Sequence, residues 1–241
     1  MVQKLAAAAA AALVIAGGAW WALQPGDSAA TSTGAMLGSA SAETTAPADT
    51  ATAPADTTAT AAAAVDPALL TDRSMGSPDA PVKLTEYASF TCPHCANFSE
   101  TVFQQLKTNY IDTGKVHFTL REVYFDKFGL LAGMMARCGG EDRYFGFVET
   151  FFQNQKTWLA AEDPAVITEN LKRIGRTGGM TDAQIDTCWA NRDFANALVE
   201  NFQKNMTADA IEGTPSFMID GVKFANMSYE EFAKVLDDKL Q

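Results

Sequence analysis

Histidine is nearly missing from this 241-residue sequence: His94 and His117 are the only two, and cysteine occurs four times. So few soft ligands leave little room for a multi-ligand metal site, and neither a metal nor another cofactor is expected. Basic residues are also short. Eighteen Lys and Arg stand against 29 Asp and Glu, a formal net charge of −11 at pH 7. A nucleic-acid binder presents a basic patch, so that class is set aside. Residues 27–66 hold no aromatic residue and no Lys, Arg or His, and residues 5–26 hold no charged residue. The chain therefore falls into an N-terminal part unlike a globular domain and a remainder, 67–241, long enough for one compact core.

The run from Leu5 to Leu23 is apolar, rich in Ala and closed by Trp20 and Trp21, with Lys4 ahead of it. Two readings fit residues 1–26. An export signal has a positive start, a short apolar stretch and a small-residue cleavage site, for which Gly17-Gly18-Ala19 or Ala40-Ser41-Ala42 would serve. A membrane anchor needs about 20 apolar residues, and a Trp pair suits the membrane–water interface. Either way the positive end stays in the cytoplasm and the rest is exported. Residues 27–66 include 15 Ala and 9 Thr, and Thr45-Ala-Pro-Ala-Asp-Thr50 recurs as Thr52-Ala-Pro-Ala-Asp-Thr57. Such a stretch cannot bury enough apolar surface to offset its ordering entropy. It reads as a disordered tether with an r.m.s. reach of roughly 35 Å.

The domain opens with alternation. Val82 to Tyr87 and Val116 to Arg121 read as strands. Between them, Phe98, Val102, Phe103 and Leu106 mark a helix from Pro93 to about Tyr110, with Pro93 in the first turn, where its missing N–H costs nothing. Two strands joined by a helix make a parallel βαβ unit. Mainly helical pattern fills about 127–206, and Thr181-Asp-Ala-Gln184 has capping-box spacing. Pro215 to Ile219, Asp220-Gly221 and Val222 to Phe224 read as a hairpin. Ser228-Tyr-Glu-Glu231 opens a last helix. This order, βαβ, insertion, ββα, is that of an α/β thioredoxin fold interrupted by an all-helical insertion.

Cys92-Pro93-His94-Cys95 falls at the junction of the first strand and its helix. The helix N-terminus favours an anion, so the Cys92 thiol should ionise easily and act as a nucleophile. His94 adds a ring that can be cationic or donate a hydrogen bond. Stabilising the thiolate stabilises the reduced protein and makes the disulfide a stronger oxidant. Cys95, one turn in, would be the more buried, resolving thiol. Other readings of the pair are half a zinc site or a static disulfide. Zinc would need two more ligands, and Cys138 and Cys188 stand 50 residues apart. Haem attachment is excluded because Ala96 follows Cys95 where His is required. Thr214-Pro215 precedes the hairpin; a cis bond there would leave backbone groups free to pair with a substrate strand, and a trans edge proline is the alternative.

With these residues the chain resembles the DsbA family of thioredoxin-fold disulfide oxidoreductases. The likeness rests on Glu86-Tyr-Ala-Ser-Phe-Thr-Cys92-Pro-His-Cys95, the helical insertion and Gly213-Thr-Pro215, and covers about 80–241. It is nearest to the alphaproteobacterial branch, through Arg121-Glu-Val123, Met135-Ala-Arg-Cys138, Tyr144-Phe-Gly-Phe147 and Met227-Ser-Tyr-Glu-Glu231. The resemblance implies a monomeric periplasmic oxidase that acts on reduced, unfolded proteins and is reoxidised by a quinone-linked membrane partner like DsbB. It makes Cys92 the attacking cysteine, Cys95 the buried one and Pro215 a cis-proline facing them. Glu86 matches a buried acid that could shuttle the Cys95 proton, although its place in a strand also allows a surface position. Thr214 stands where the best-known enterobacterial member has Val.

The resemblance also implies a second disulfide, Cys138–Cys188; two separate buried thiols are the alternative. Closing that loop would add about 4 kcal/mol at most by chain entropy. Phe151, Phe152, Trp158, Met134 and Met135 read as core or groove lining, and Asp237 and Asp238 as surface solvation. A periplasmic reductase or isomerase, and a non-catalytic tethered thiol chaperone, are the competing functions.

Overall fold

A computed structural model describes residues 65–241. The apolar run 5–23 and the tether up to residue 64 lie outside these residues. The fold begins slightly before the boundary read at residue 67. The Asp66 carboxylate accepts from the Ala68 N–H and caps a 3-10 turn, Pro67–Leu70. Among the described residues, no helix is long and apolar enough to cross a membrane.

Five strands form one sheet in the order β1-β3-β2-β4-β5. They are β1 Arg73–Met75, β2 Val82–Ala88, β3 Val116–Glu122, β4 Ser216–Ile219 and β5 Val222–Ala225. β2 and β3 pair in parallel, with Glu86 opposite Leu120, and the other neighbours are antiparallel. β3 buries every second residue, as its alternation requires. β2 is buried almost throughout its C-terminal half, because helices cover both of its faces. β1 was not foreseen; three residues carry no readable period, and Ser74 is held by a hydroxyl–hydroxyl contact of 2.9 Å to Thr119.

The β2–β3 crossover is the helix α1, 93–111, which includes two π-helical stretches, Ser99–Phe103 and Lys107–Ile111. Phe98 on α1 packs 4.7 Å from Phe217 of β4 and 5.7 Å from Phe232 on the last helix. The hairpin turn places Asp220 at φ 47° and Gly221 at φ 80°, the left-handed pair that a two-residue turn between twisted strands demands.

Six helices make the insertion: α2 Lys127–Cys138, α3 Glu141–Gln153, α4 Gln155–Trp158, α5 Pro164–Thr177, α6 Asp182–Ala190 and α7 Arg192–Ala208. Met134, Met135, Phe151, Phe152 and Trp158 are all buried. Gly139 and Gly178 admit the Phe147 ring between them, since a Cβ on either would lie 2.3 Å from it. Cys138 and Cys188 form a disulfide, with Cα atoms 6.3 Å apart, that joins the end of α2 to α6. A buried ion pair, Glu122 with Arg137, ties β3 to α2, and Arg137 also donates to the carbonyls of Leu69 and Thr71. The chain ends with α8, Tyr229–Lys239.

Both capping boxes close as read, at Thr181 with Gln184 and at Ser228 with Glu231. Removing the Ser228 hydroxyl leaves one first-turn N–H unsatisfied. We expect Ser228→Ala to lower stability by about 1 kcal/mol in urea denaturation, without altering redox behaviour. One surface assignment needs correction. Asp237 is not merely solvated: it accepts a 2.9 Å hydrogen bond from the Tyr110 hydroxyl and so ties α8 to α1. Asp238 pairs with Lys234 on the surface.

Candidate active site

β2 ends at Ala88 and the chain turns through Ser89–Cys92 into α1. Cys92 is the N-cap residue and Pro93 occupies the first helical position. The Cys92 carbonyl accepts the first helical hydrogen bond, from Ala96 N–H at 3.2 Å. Cys92 is half-buried, whereas Cys95 has no exposed surface. Both are thiols in this structure. An outside sulfur can therefore reach Cys92 and not Cys95.

Across from the pair lies the loop before β4. The Thr214–Pro215 peptide bond is cis, and the Thr214 carbonyl sits 3.5 Å from Cys92 Sγ. The Thr214 hydroxyl is buried with no hydrogen-bond partner, and the nearness of Thr214 lowers the pKa of both thiols. The Cys92 thiol is brought down to about 5, first by the hydrogen bond from Cys95 and then, against burial, by Thr214 and the N–H groups of Cys95 and His94. The Cys95 thiol is pushed up strongly by that same hydrogen bond, by burial and by the nearby Glu86 charge. Two adjacent thiols are thus driven apart, one ionised and one protonated at neutral pH. The His94 side chain is exposed, and it is the backbone N–H of His94, not the ring, that acts on Cys92.

Glu86 points inward from β2, 4 % exposed, and its Oε1 has no hydrogen-bond partner. Burial, followed by the Cys92 charge, raises its carboxyl to about 8. It lines a cavity of about 330 Å³ bounded by Phe103, Phe118 and Phe152, with Lys107 and Glu149 also on its wall. Such a volume holds several waters.

Sequence reasoning missed two supports of the redox loop. Thr91 donates its hydroxyl to Asp126, the N-cap of α2. Gln155, at the start of α4, donates from Nε2 to the carbonyls of Phe90 and Cys92. Neither carries a local sequence signal, because each contact joins segments far apart in the chain. Among the described residues no group of three or more His, Cys, Asp or Glu side chains converges as a metal site would.

A parallel βαβ unit, a βhairpin–helix and a Cys-x-x-Cys at the first helix N-terminus, opposite a cis-proline, define the thioredoxin class. A protein-family model described as Thioredoxin matches residues 69–238. Curated relatives include a "Putative protein-disulfide oxidoreductase" of Rickettsia bellii, 32 % identical over 171 residues, and its namesake of Rickettsia prowazekii, 33 % identical over 170 residues. Each alignment covers 70 % of this chain, and it spans 65 % and 61 % of those relatives' own lengths. Among solved structures, alpha-DsbA1 of Wolbachia pipientis superposes with a TM-score of 0.66 at 28 % identity, over 70 % of this chain and 91 % of that one. A protein-disulfide isomerase of Novosphingobium aromaticivorans gives 0.62 at 25 %, over 70 % and 97 %. The chain belongs to the thioredoxin family, and its structural neighbours place it with the DsbA-like proteins.

Proposed function

We propose that this chain is an exported thiol:disulfide oxidoreductase that donates a Cys92–Cys95 disulfide to newly translocated proteins. The observation that carries the reading is the split between an accessible, readily ionised Cys92 and an enclosed, protonated Cys95 facing Thr214–Pro215. The names of the curated relatives, protein-disulfide oxidoreductases, support the chemistry.

The reaction follows from that split. A substrate thiolate attacks Cys92 Sγ; a substrate–Cys92 disulfide forms and the Cys92–Cys95 bond breaks, its electron pair going to Cys95. Cys95 takes up a proton, and the neutral, buried Glu86 carboxyl, whose ionisation acts on Cys95, can supply it. A second substrate thiolate then attacks the substrate sulfur of the mixed disulfide, and Cys92 leaves as a stable thiolate. The substrate has lost two electrons, and the enzyme is left as a dithiol. A DsbB-like quinone-linked membrane partner would return the pair to the disulfide. The Cys138–Cys188 bridge is a structural brace of the insertion. Residues 5–23 act as the export signal or as an inner-membrane anchor, and 27–66 as the tether.

The test is the equilibrium of the full chain with glutathione. At pH 7 a thiol at about 5 is almost wholly ionised, whereas the thioredoxin thiol, near about 7, is half ionised. That difference is about 2 kcal/mol, and solvent screening of the half-buried sulfur trims it to about 1–2 kcal/mol. For a two-electron couple this places the potential about 20–40 mV above thioredoxin's, about −270 mV. A value at or below −270 mV would reverse the assigned electron flow and make the chain a reductase.

A further inference from the structure

Gln155 belongs to the helical insertion, yet its side chain ends on the redox loop. The residue is 4 % exposed. Its single amide nitrogen lies 2.8 Å from the Phe90 carbonyl and 2.9 Å from the Cys92 carbonyl. An amide NH2 has two hydrogens, so both are committed, one to each side of Thr91. The Phe90 ring lies against the same part of the insertion, with ring centroids 5.3 Å from Phe151 and 5.4 Å from Phe152. That platform is itself fixed. Trp158 donates from Nε1 to the Phe151 carbonyl at 2.9 Å, and Asn170 donates to the Trp158 carbonyl.

We propose that Gln155 is a positioning residue for the thiol chemistry: by holding the Cys92 carbonyl it sets the rotation of the N-cap residue and keeps Cys92 Sγ aimed at the first-turn N–H groups. The inference rests on Cys92 being the attacking thiol. The Cys92 N–H is held from the preceding turn by the Ser89 carbonyl at 3.1 Å, but on its carbonyl side the only backbone partner is the Ala96 N–H at 3.2 Å. Gln155 supplies the second partner of that carbonyl, from outside the helix. Without it, Cys92 can rotate away from the N–H donors of His94 and Cys95, and a thiolate that loses charge-stabilising donors becomes more basic. On this account the insertion is not only a cover over the thioredoxin core. It contributes one side chain that sets how reactive the exposed sulfur is.

The experiment compares thiolate absorbance titrations of the reduced full chain in four forms: wild type, Gln155→Met, Gln155→Glu and Trp158→Phe. Gln155→Met keeps the length and removes both donors. Its Cys92 midpoint should rise by about one pH unit, with a severalfold lower alkylation rate at pH 6 and a severalfold smaller equilibrium constant for oxidising glutathione-pool thiols. Gln155→Glu, protonated at low pH, can still donate one hydrogen bond and should titrate between the two. Trp158→Phe loosens the same platform without touching the loop; it should lower the melting midpoint and leave the titration in place. If Met does not fold, the Glu form at low pH decides alone. Gln155 variants that lose stability yet titrate like wild type would overturn the proposal and leave Gln155 a purely structural brace. A wild type with no thiol ionising below pH 7 would instead overturn the assignment of Cys92.

Discussion

Cys95→Ala should reduce thiol-oxidising turnover to background and, once reduced and offered a disulfide-bonded protein, should accumulate a covalent adduct through Cys92. Both effects follow from the unequal exposure of the two sulfurs. In the oxidising direction the reactive species is the Cys92–Cys95 bond, and without Cys95 there is no bond to donate. In the opposite direction the half-buried Cys92 can still attack a substrate disulfide: the change removes the Cys95 hydrogen bond, the largest cause of its lowered pKa, but leaves Thr214 and the backbone N–H groups of residue 95 and His94. The mixed disulfide then has no internal thiol to release it. On the proposed reading wild type releases it through Cys95, which has no exposed surface and sits one helical turn away, beside the Cys92 sulfur. Its raised pKa keeps it protonated until a base is at hand, so a substrate has time to leave or react further. Non-reducing electrophoresis and intact mass would read the adduct. If Cys95→Ala turns over normally, the chemistry lies elsewhere, and the Cys138–Cys188 bridge becomes the candidate. A combined Cys138→Ser and Cys188→Ser variant separates the two, since on the present reading it keeps turnover.

What was legible in the sequence is what depends on neighbours in the chain. β2, β3 and the β4–β5 hairpin follow from alternation, and the hairpin turn from Asp220-Gly221, whose φ values are both positive. The two capping boxes were legible because each is a four-residue motif closed by its own side chains. The cysteine pair was legible because its spacing and its place before a helix are both local. What escaped is non-local. β1 exists only through its pairing with β3, and the π-helical stretches of α1 leave no mark in a hydrophobic pattern. Arg121-Glu-Val123 and Met135-Ala-Arg-Cys138 carried a family likeness whose cause was hidden. The structure supplies it: Glu122 and Arg137 form one buried ion pair, and neither could remain in the core without the other. Thr214 departs from the apolar residue of the enterobacterial relative, and its hydroxyl is buried with no hydrogen-bond partner while its carbonyl lies 3.5 Å from Cys92 Sγ.

Glu86→Gln should stabilise the reduced protein while slowing its chemistry. The carboxyl is buried and its pKa is raised to about 8 from an ordinary 4.5. A raised acid binds its proton more tightly when folded than when unfolded. Folding is therefore unopposed by this group below about pH 4.5 and is increasingly opposed as pH rises toward the folded value of about 8. At pH 7 the opposition is about 3 kcal/mol, and it levels off at about 5 kcal/mol above pH 8. Glutamine is neutral throughout, has the same shape, and meets the same cavity of about 330 Å³, where water can satisfy its amide. The two proteins should have similar urea midpoints near pH 4.5, and the variant should gain steadily from there to pH 8. The same change removes the buried carboxyl whose charge acts on the Cys95 thiol and which is proposed to exchange its proton. Release of a mixed disulfide by Cys95, the reducing direction, should slow by about 100-fold or more, the ordinary contribution of general acid–base catalysis. Stability curves that stay parallel between pH 4.5 and 8 would mean that Glu86 is ionised within the fold, and the relay of the Cys95 proton would fall with it. Stability gained without loss of rate would keep the buried acid and assign the proton transfer to water in the cavity. The two readouts therefore separate why the carboxyl is costly from what it does.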